Sequence, residues 1–193
     1  MADDAGSAYA LNEKTSSLTM LGDLGKAKEA CQHSLDLARK SGNATSIVTS
    51  LFYKGNIAKL EGNLEEAHKA LSEALSAARA SADATGSAEV ELGLAEVAEE
   101  EGHSAEARQQ IQEGLVYLQG HKDPGDEISA EILLARIALA EGKAPEAAQA
   151  MDVAGRCFGA RPFVEGGWVD GASRESAIRF IAAGTEHPLA CQA

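Results

Sequence analysis

The chain has 193 residues and a formal net charge of −13, with 45% apolar but only 4% aromatic residues. Such a length holds one domain or one short array of repeats. The acidity argues against nucleic acid and anionic membrane surfaces as partners, since both call for basic patches; a basic protein partner is compatible, and an acidic surface is also a plain solubility device.

No run of 18 apolar residues is present, so no membrane span is expected. The start, MADDAGSAYA, is acidic and lacks the charged-then-apolar order of a secretory signal. Three cysteines, Cys31, Cys157 and Cys191, are an odd number without metal-like spacing. They read as reduced thiols of a cytoplasmic chain.

The dominant pattern is a repeat. GDLGKA, GNLEEA, GHSAEA and GKAPEA begin at Gly22, Gly62, Gly102 and Gly142, 40 residues apart. Ala27, Ala67, Ala107 and Ala147 follow at the same spacing, as do Cys31, Leu71, Ile111 and Met151. Four residues before each glycine stand Leu18, Ala58, Ala98 and Ala138, and seven before stand Thr15, Gly55, Ala95 and Ala135. Fixed columns at such a period mark a solenoid.

In chain order, the first repeat covers about residues 8–40. Its second helix is predicted over 24–40, where Leu24, Ala27, Cys31, Leu35 and Ala38 share one helical face. SGNAT (Ser41–Thr45) breaks the chain, with Gly42 or Asn43 suited to the left-handed end of a helix. The second repeat covers about 44–80, with a helix over 46–61, a stop at Gly62 and a cap at Asn63. The third and fourth cover about 85–119 and 127–158. The glycine is thus the corner of a two-helix hairpin, and the alanine five residues on sits where the helices touch. Each hairpin exposes an apolar stripe that the next must cover.

After the fourth repeat the pattern fades. Residues 159–193 form an irregular segment and a capping helix at about 172–183, with Ala177, Ile178, Phe180 and Ile181 on its apolar side. Phe158, Phe163, Trp168 and Phe180 gather here and are expected to pack a cap rather than cage a ligand. The fold expected is all-α: a right-handed superhelical solenoid of four helix-turn-helix hairpins plus that cap, about nine helices in all. An ordinary helical bundle is the competing reading, but it requires no strict period.

The glycine-alanine corner, the small residue seven before the glycine and the apolar residue nine after it resemble tetratricopeptide repeats over about residues 8–158. Gly55, Ala58, Gly62, Ala67, Leu71 and Ala74 fit that pattern, as do Leu94, Ala95, Ala98, Gly102, Ala107 and Ile111, and then Leu134, Ala135, Ala138, Gly142, Ala147, Met151 and Ala154. Lys14 and Lys54 depart from it, standing where leucine is usual. The period of 40 also exceeds the usual 34 or so. Long-period arrays of this kind resemble those attached to bacterial signalling proteins and transcriptional activators.

No enzyme motif is found: no HExxH, CxxC, phosphate-binding loop or GxSxG, and His33, His68, His103, His121 and His187 lack metal-ligand spacing. The densest polar cluster, Glu96 and Glu99–Glu101 with His103, reads as a solvated helix face. No catalytic residue, metal or cofactor is expected. The resemblance instead implies binding, with the first helix of each hairpin lining a concave surface. There the trios Phe52, Asn56 and Lys59, then Leu92, Glu96 and Glu99, then Ile132, Arg136 and Leu139 are the candidate partner-binding residues. Some family members grip a terminal carboxylate with basic residues; here the matching positions hold Asn12, Ser16, Tyr53, Glu89 and Gly93, which do not suit that ligand. A protein or peptide segment of mixed polarity is the expected partner. The chain reads either as a free-standing interaction scaffold or as the sensory or docking arm of a larger signalling protein.

Overall fold

The computed structural model of the chain describes residues 4–121 and 124–157. These form eight α-helices and, among the described residues, no strand: α1 (Asp4–Met20), α2 (Leu24–Ser41), α3 (Ala44–Leu60), α4 (Leu64–Ala80), α5 (Ala84–Glu100), α6 (Ser104–His121), α7 (Pro124–Ala140) and α8 (Ala144–Cys157). The expected capping helix at 172–183, with Phe158, Phe163, Trp168 and Phe180, lies outside the described residues.

The corners share one construction. Gly22, Gly42, Gly62, Gly102 and Gly142 all take the left-handed conformation, with φ between 68° and 81°. At Gly62 the amide donates to the Lys59 carbonyl at 2.8 Å, and the Asn63 amide donates back to Ala58 at 2.9 Å. This pair of bonds satisfies carbonyls that the end of α3 leaves open. The Asn63 side chain then accepts from the Glu66 amide at 3.2 Å and opens α4. Asp23, Asn43 and Asp83 cap α2, α3 and α5 in the same way. Ala82 occupies the corresponding corner before α5 at φ 54°, where glycine stands elsewhere.

The chain divides into two compact units, Met1–Gly120 and His121–Ala193. In the first, α1 pairs with α2, α3 with α4, and the hairpins join in chain order through α2 against α3 and α4 against α5. Gly114 of α6 lies against Ala88 and Leu92 of α5, closing the third pair. One core runs through the stack: Leu35 from α2, Val48 and Leu51 from α3, Leu71, Ala74 and Ala78 from α4, and Val90, Leu94 and Val97 from α5. Fully burying a side chain such as Leu51 or Leu71 contributes about 1.5–3 kcal/mol. Hairpin two is covered on both sides, as a helical-repeat solenoid requires. The repeated alanines do what the pattern implied: Ala27, Ala67 and Ala107 are wholly buried.

The second unit contains α7 packed on α8. Ala135 and Ala138 of α7 meet Ala147 and Ala150 of α8, flanked by Leu134, Leu139 and Met151. Small residues on both helices let the backbones approach closely.

Candidate functional site

The first helices of the hairpins form a layer of their own. Besides pairing with their partners, α1 approaches α3, and α3 approaches α5. Residues on the free side of these helices therefore lie along one surface of the first unit.

On α3, Phe52, Asn56 and Lys59 are each half-buried there. The Phe52 ring lies against Gly93 of α5: a Cβ at Gly93 would stand 3.3 Å from its Cε2. It also tilts against Tyr53, with ring centroids 5.9 Å apart. Lys59 is only 15% exposed, and its ammonium is bonded directly to the carboxylate of Glu96 on α5. The two charges expected to meet a partner separately thus neutralise each other across neighbouring first helices. Glu99, one turn on, is half-buried.

Leu92 sits deeper than the other candidates of the first unit. It is 7% exposed, and its Cδ2 lies 3.7 Å from where a Cβ on Gly114 would stand. The glycine lets α6 come close enough to cover it, so Leu92 belongs to the packing of its own hairpin. The residue 40 positions earlier in the same column as Phe52, Asn12, is likewise buried. In the first unit, Asn12 and Leu92 of this column point into joints between helices, while Phe52 stays half-exposed. In the second unit Ile132 and Arg136 are half-buried, and Leu139 packs beside the alanine cluster of α7 and α8.

Of the positions compared with a carboxylate grip, Asn12 belongs to a buried structural cluster. Asn12, 2% exposed, donates from Nδ2 to the Ser46 carbonyl at 3.3 Å. Ser50 Oγ lies 2.9 Å from Asn12 Oδ1, 2.7 Å from the Ser46 carbonyl and 3.0 Å from Ser34 Oγ. Its single proton serves one of these at a time. Ser34 donates to the Ala8 carbonyl at 2.7 Å. This buried polar cluster ties α1, α2 and α3 together, and a reading of the repeat columns for apolar residues alone passes over it. The columns do hold the signal: Ser34 stands with Ala74 and Gly114, and Ser50 with Val90 and Ala130.

Among the described residues, no group of three histidine, cysteine, aspartate or glutamate side chains stands together as a metal site. Nor is any described helix long and apolar enough to cross a membrane. Cys31 is a free, buried thiol that donates to the Ser50 carbonyl at 3.1 Å. Burial pushes its pKa up to about 11, so it stays protonated at neutral pH.

Stacked hairpins with glycine corners narrow the family to helical repeats, and the family model described as the MalT-like TPR region matches residues 7–184. The chain belongs to the MalT-like TPR family. Repeats of the TPR type generally mediate protein interactions and serve as helical scaffolds. No curated protein matches the chain. Membership in the MalT-like TPR family accounts for the fold; a fold that carries many partners leaves the choice of partner to the side chains on its surfaces.

Proposed function

We propose that the chain is a non-enzymatic scaffold that binds a peptide or protein segment along the layer of its first helices. The supporting observation is the junction of α3 and α5, where Lys59 and Glu96 pair beside the half-buried Phe52 and Asn56. This patch has an aromatic ring, an amide able to donate and accept, and an ion pair of no net charge. It suits an extended or helical segment of mixed polarity better than a strongly charged tail. Leu92 is left out of the contact set because it is covered. Glu99 belongs with the α3–α5 patch, and Ile132, Arg136 and Leu139 are candidates for a contact on the second unit, considered separately.

A second reading makes the chain the sensory or docking arm of a larger bacterial signalling protein, a kinase or transcriptional regulator. The description of the matched family as a region supports it.

The test is capture of a partner from source lysate with two surface variants. Asn56→Arg, on the patch, should abolish capture while melting with the parent, since surface changes usually stay within about 0.5 kcal/mol. Lys69→Glu, on the exposed side of α4, should capture normally. Normal capture by Asn56→Arg, or loss confined to Lys69→Glu, would move the interface to the second helices.

A further inference from the structure

Two of the residues in which the first hairpins depart from the repeat pattern stand together. Cys31 is in the column otherwise filled by Leu71, Ile111 and Met151, and Lys54 in the column of Leu94 and Leu134. In the next repeat Leu71 and Leu94 both belong to the buried core. Where they are replaced by a small thiol and a side chain that reaches outward, the edge of the joint between hairpins one and two is left open. A cleft of about 220 Å³ opens there, lined by both Cys31 and Lys54.

Its floor is apolar: Cys31 and Leu35 from α2, with Ile57 and Ala58 from α3, all buried. Its rim is charged in both senses. Lys28 pairs with Glu61 at 2.8 Å, and Lys54 pairs with Glu66 at 2.8 Å. Gln32 and Asn63 complete the rim. Two cations and two carboxylates leave the rim with no net charge, so a ligand of one sign would face repulsion from half of it. The four charged side chains are between 35% and 64% exposed. Exposed ion pairs of this kind contribute little, and exchanging them for contacts to a ligand costs little. The thiol is a floor atom rather than a nucleophile, because its proton is held by the Ser50 carbonyl.

We infer that this cleft binds a small zwitterion with an aliphatic tail, a free α-amino acid of the leucine or methionine type. The tail would lie on Leu35, Ile57 and the Cys31 sulfur. The carboxylate would take the place of a glutamate on Lys28 or Lys54, and the ammonium would meet the glutamate so released, Glu61 or Glu66. The site is on the second-helix side of the joint and is independent of the surface formed by the first helices. Because α2 belongs to hairpin one and α3 and α4 to hairpin two, an occupant would bridge the two hairpins.

The experiment is amide NMR titration of the full chain with L-leucine and L-methionine, beside N-acetyl-leucine, which lacks the ammonium, and leucinamide, which lacks the carboxylate. Free amino acid should give saturable shifts at Gln32, Ala58 and Asn63, and each blocked analogue should bind about tenfold or more weakly. The double variant Cys31→Leu, Lys54→Leu rebuilds the pattern of the following repeat and should fill the cleft. It is expected to lose the titration. Three results would each overturn the inference: no saturable shift with any free amino acid, equal binding of a blocked analogue, or an unchanged titration in a folded double variant. If the double variant proves unfolded, the pair Lys28→Met and Lys54→Met, which keeps both stems and removes both charges, takes its place. Undiminished binding there would overturn the inference equally.

Discussion

A Cβ placed on Gly55 of α3 would stand 2.6 Å from Cγ of Leu71 and 3.3 Å from the Ala67 carbonyl, so α3 and α4 touch through a residue that has no side chain. Gly55→Ala therefore sets two effects against each other. Alanine gains up to about 1 kcal/mol of helix propensity, while overpacking costs about 1–3 kcal/mol because the obstructing atoms are a branch carbon and backbone. The clash should win, and melting should fall. Gly25→Ala is the control, since nothing lies within 4 Å of its Cβ position and its φ is not positive. It should melt at or above the parent. If both variants melt above the parent, the hairpin contact is looser than described.

Ala82 carries the strain that glycine avoids elsewhere. A non-glycine residue in the left-handed region costs about 1–2 kcal/mol, partly offset by the greater freedom glycine has when unfolded. Ala82→Gly is expected to stabilise by about 1 kcal/mol, or about 2–4 °C in a chain of this size. Gly42→Ala, at the equivalent corner before α3, should do the reverse. Thermal denaturation of the pair checks it, and equal melting of all three proteins would contradict the corner geometry.

The Lys59–Glu96 pair joins first helices of successive hairpins, and Lys59 is largely covered. A double-mutant cycle with Lys59→Met and Glu96→Gln should return a coupling of about 1 kcal/mol. The coupling should shrink as salt is raised to about 1 M, since part of the pair is exposed. A coupling indistinguishable from zero at low salt would mean that the pair does not hold the layer together.

The cluster of Asn12, Ser34 and Ser50 makes the first joint polar where the second is apolar. Removing one member strands its partners, so Asn12→Ala should cost about 1–3 kcal/mol. Changing all three together to the residues of the following repeat, Asn12→Phe, Ser34→Ala and Ser50→Val, removes donors and acceptors in concert. That triple variant should melt nearer to the parent than Asn12→Ala does. A triple variant less stable than the single one would show that shape, not hydrogen bonding, decides this joint.

What the sequence determined by itself was local and periodic. Glycines 40 residues apart implied corners, and Gly22, Gly62, Gly102 and Gly142 are all left-handed. Such corners depend on backbone sterics within a few residues. The small columns implied close helix contacts, and Ala67 and Ala107 are wholly buried, because a helix shows the same face every few residues wherever it is placed. Asn63 was legible as a cap, and Asp23, Asn43 and Asp83 cap α2, α3 and α5 at the same twenty-residue spacing. Helical spacing alone could not decide which exposed-looking positions meet a neighbour. Leu92, Phe52 and Asn12 share a column, yet Phe52 stays half-open while Leu92 is covered through Gly114 of α6. Nor did Lys59 and Glu96, read separately as contacts for a partner, reveal that they contact each other. The cleft at Cys31 and Lys54 belongs to the same class: a gap exists only between elements, and its size depends on residues from three helices at once. Only the tertiary structure decided these points, because burial and pairing are set by how close two hairpins come, and packing, not period, sets that distance.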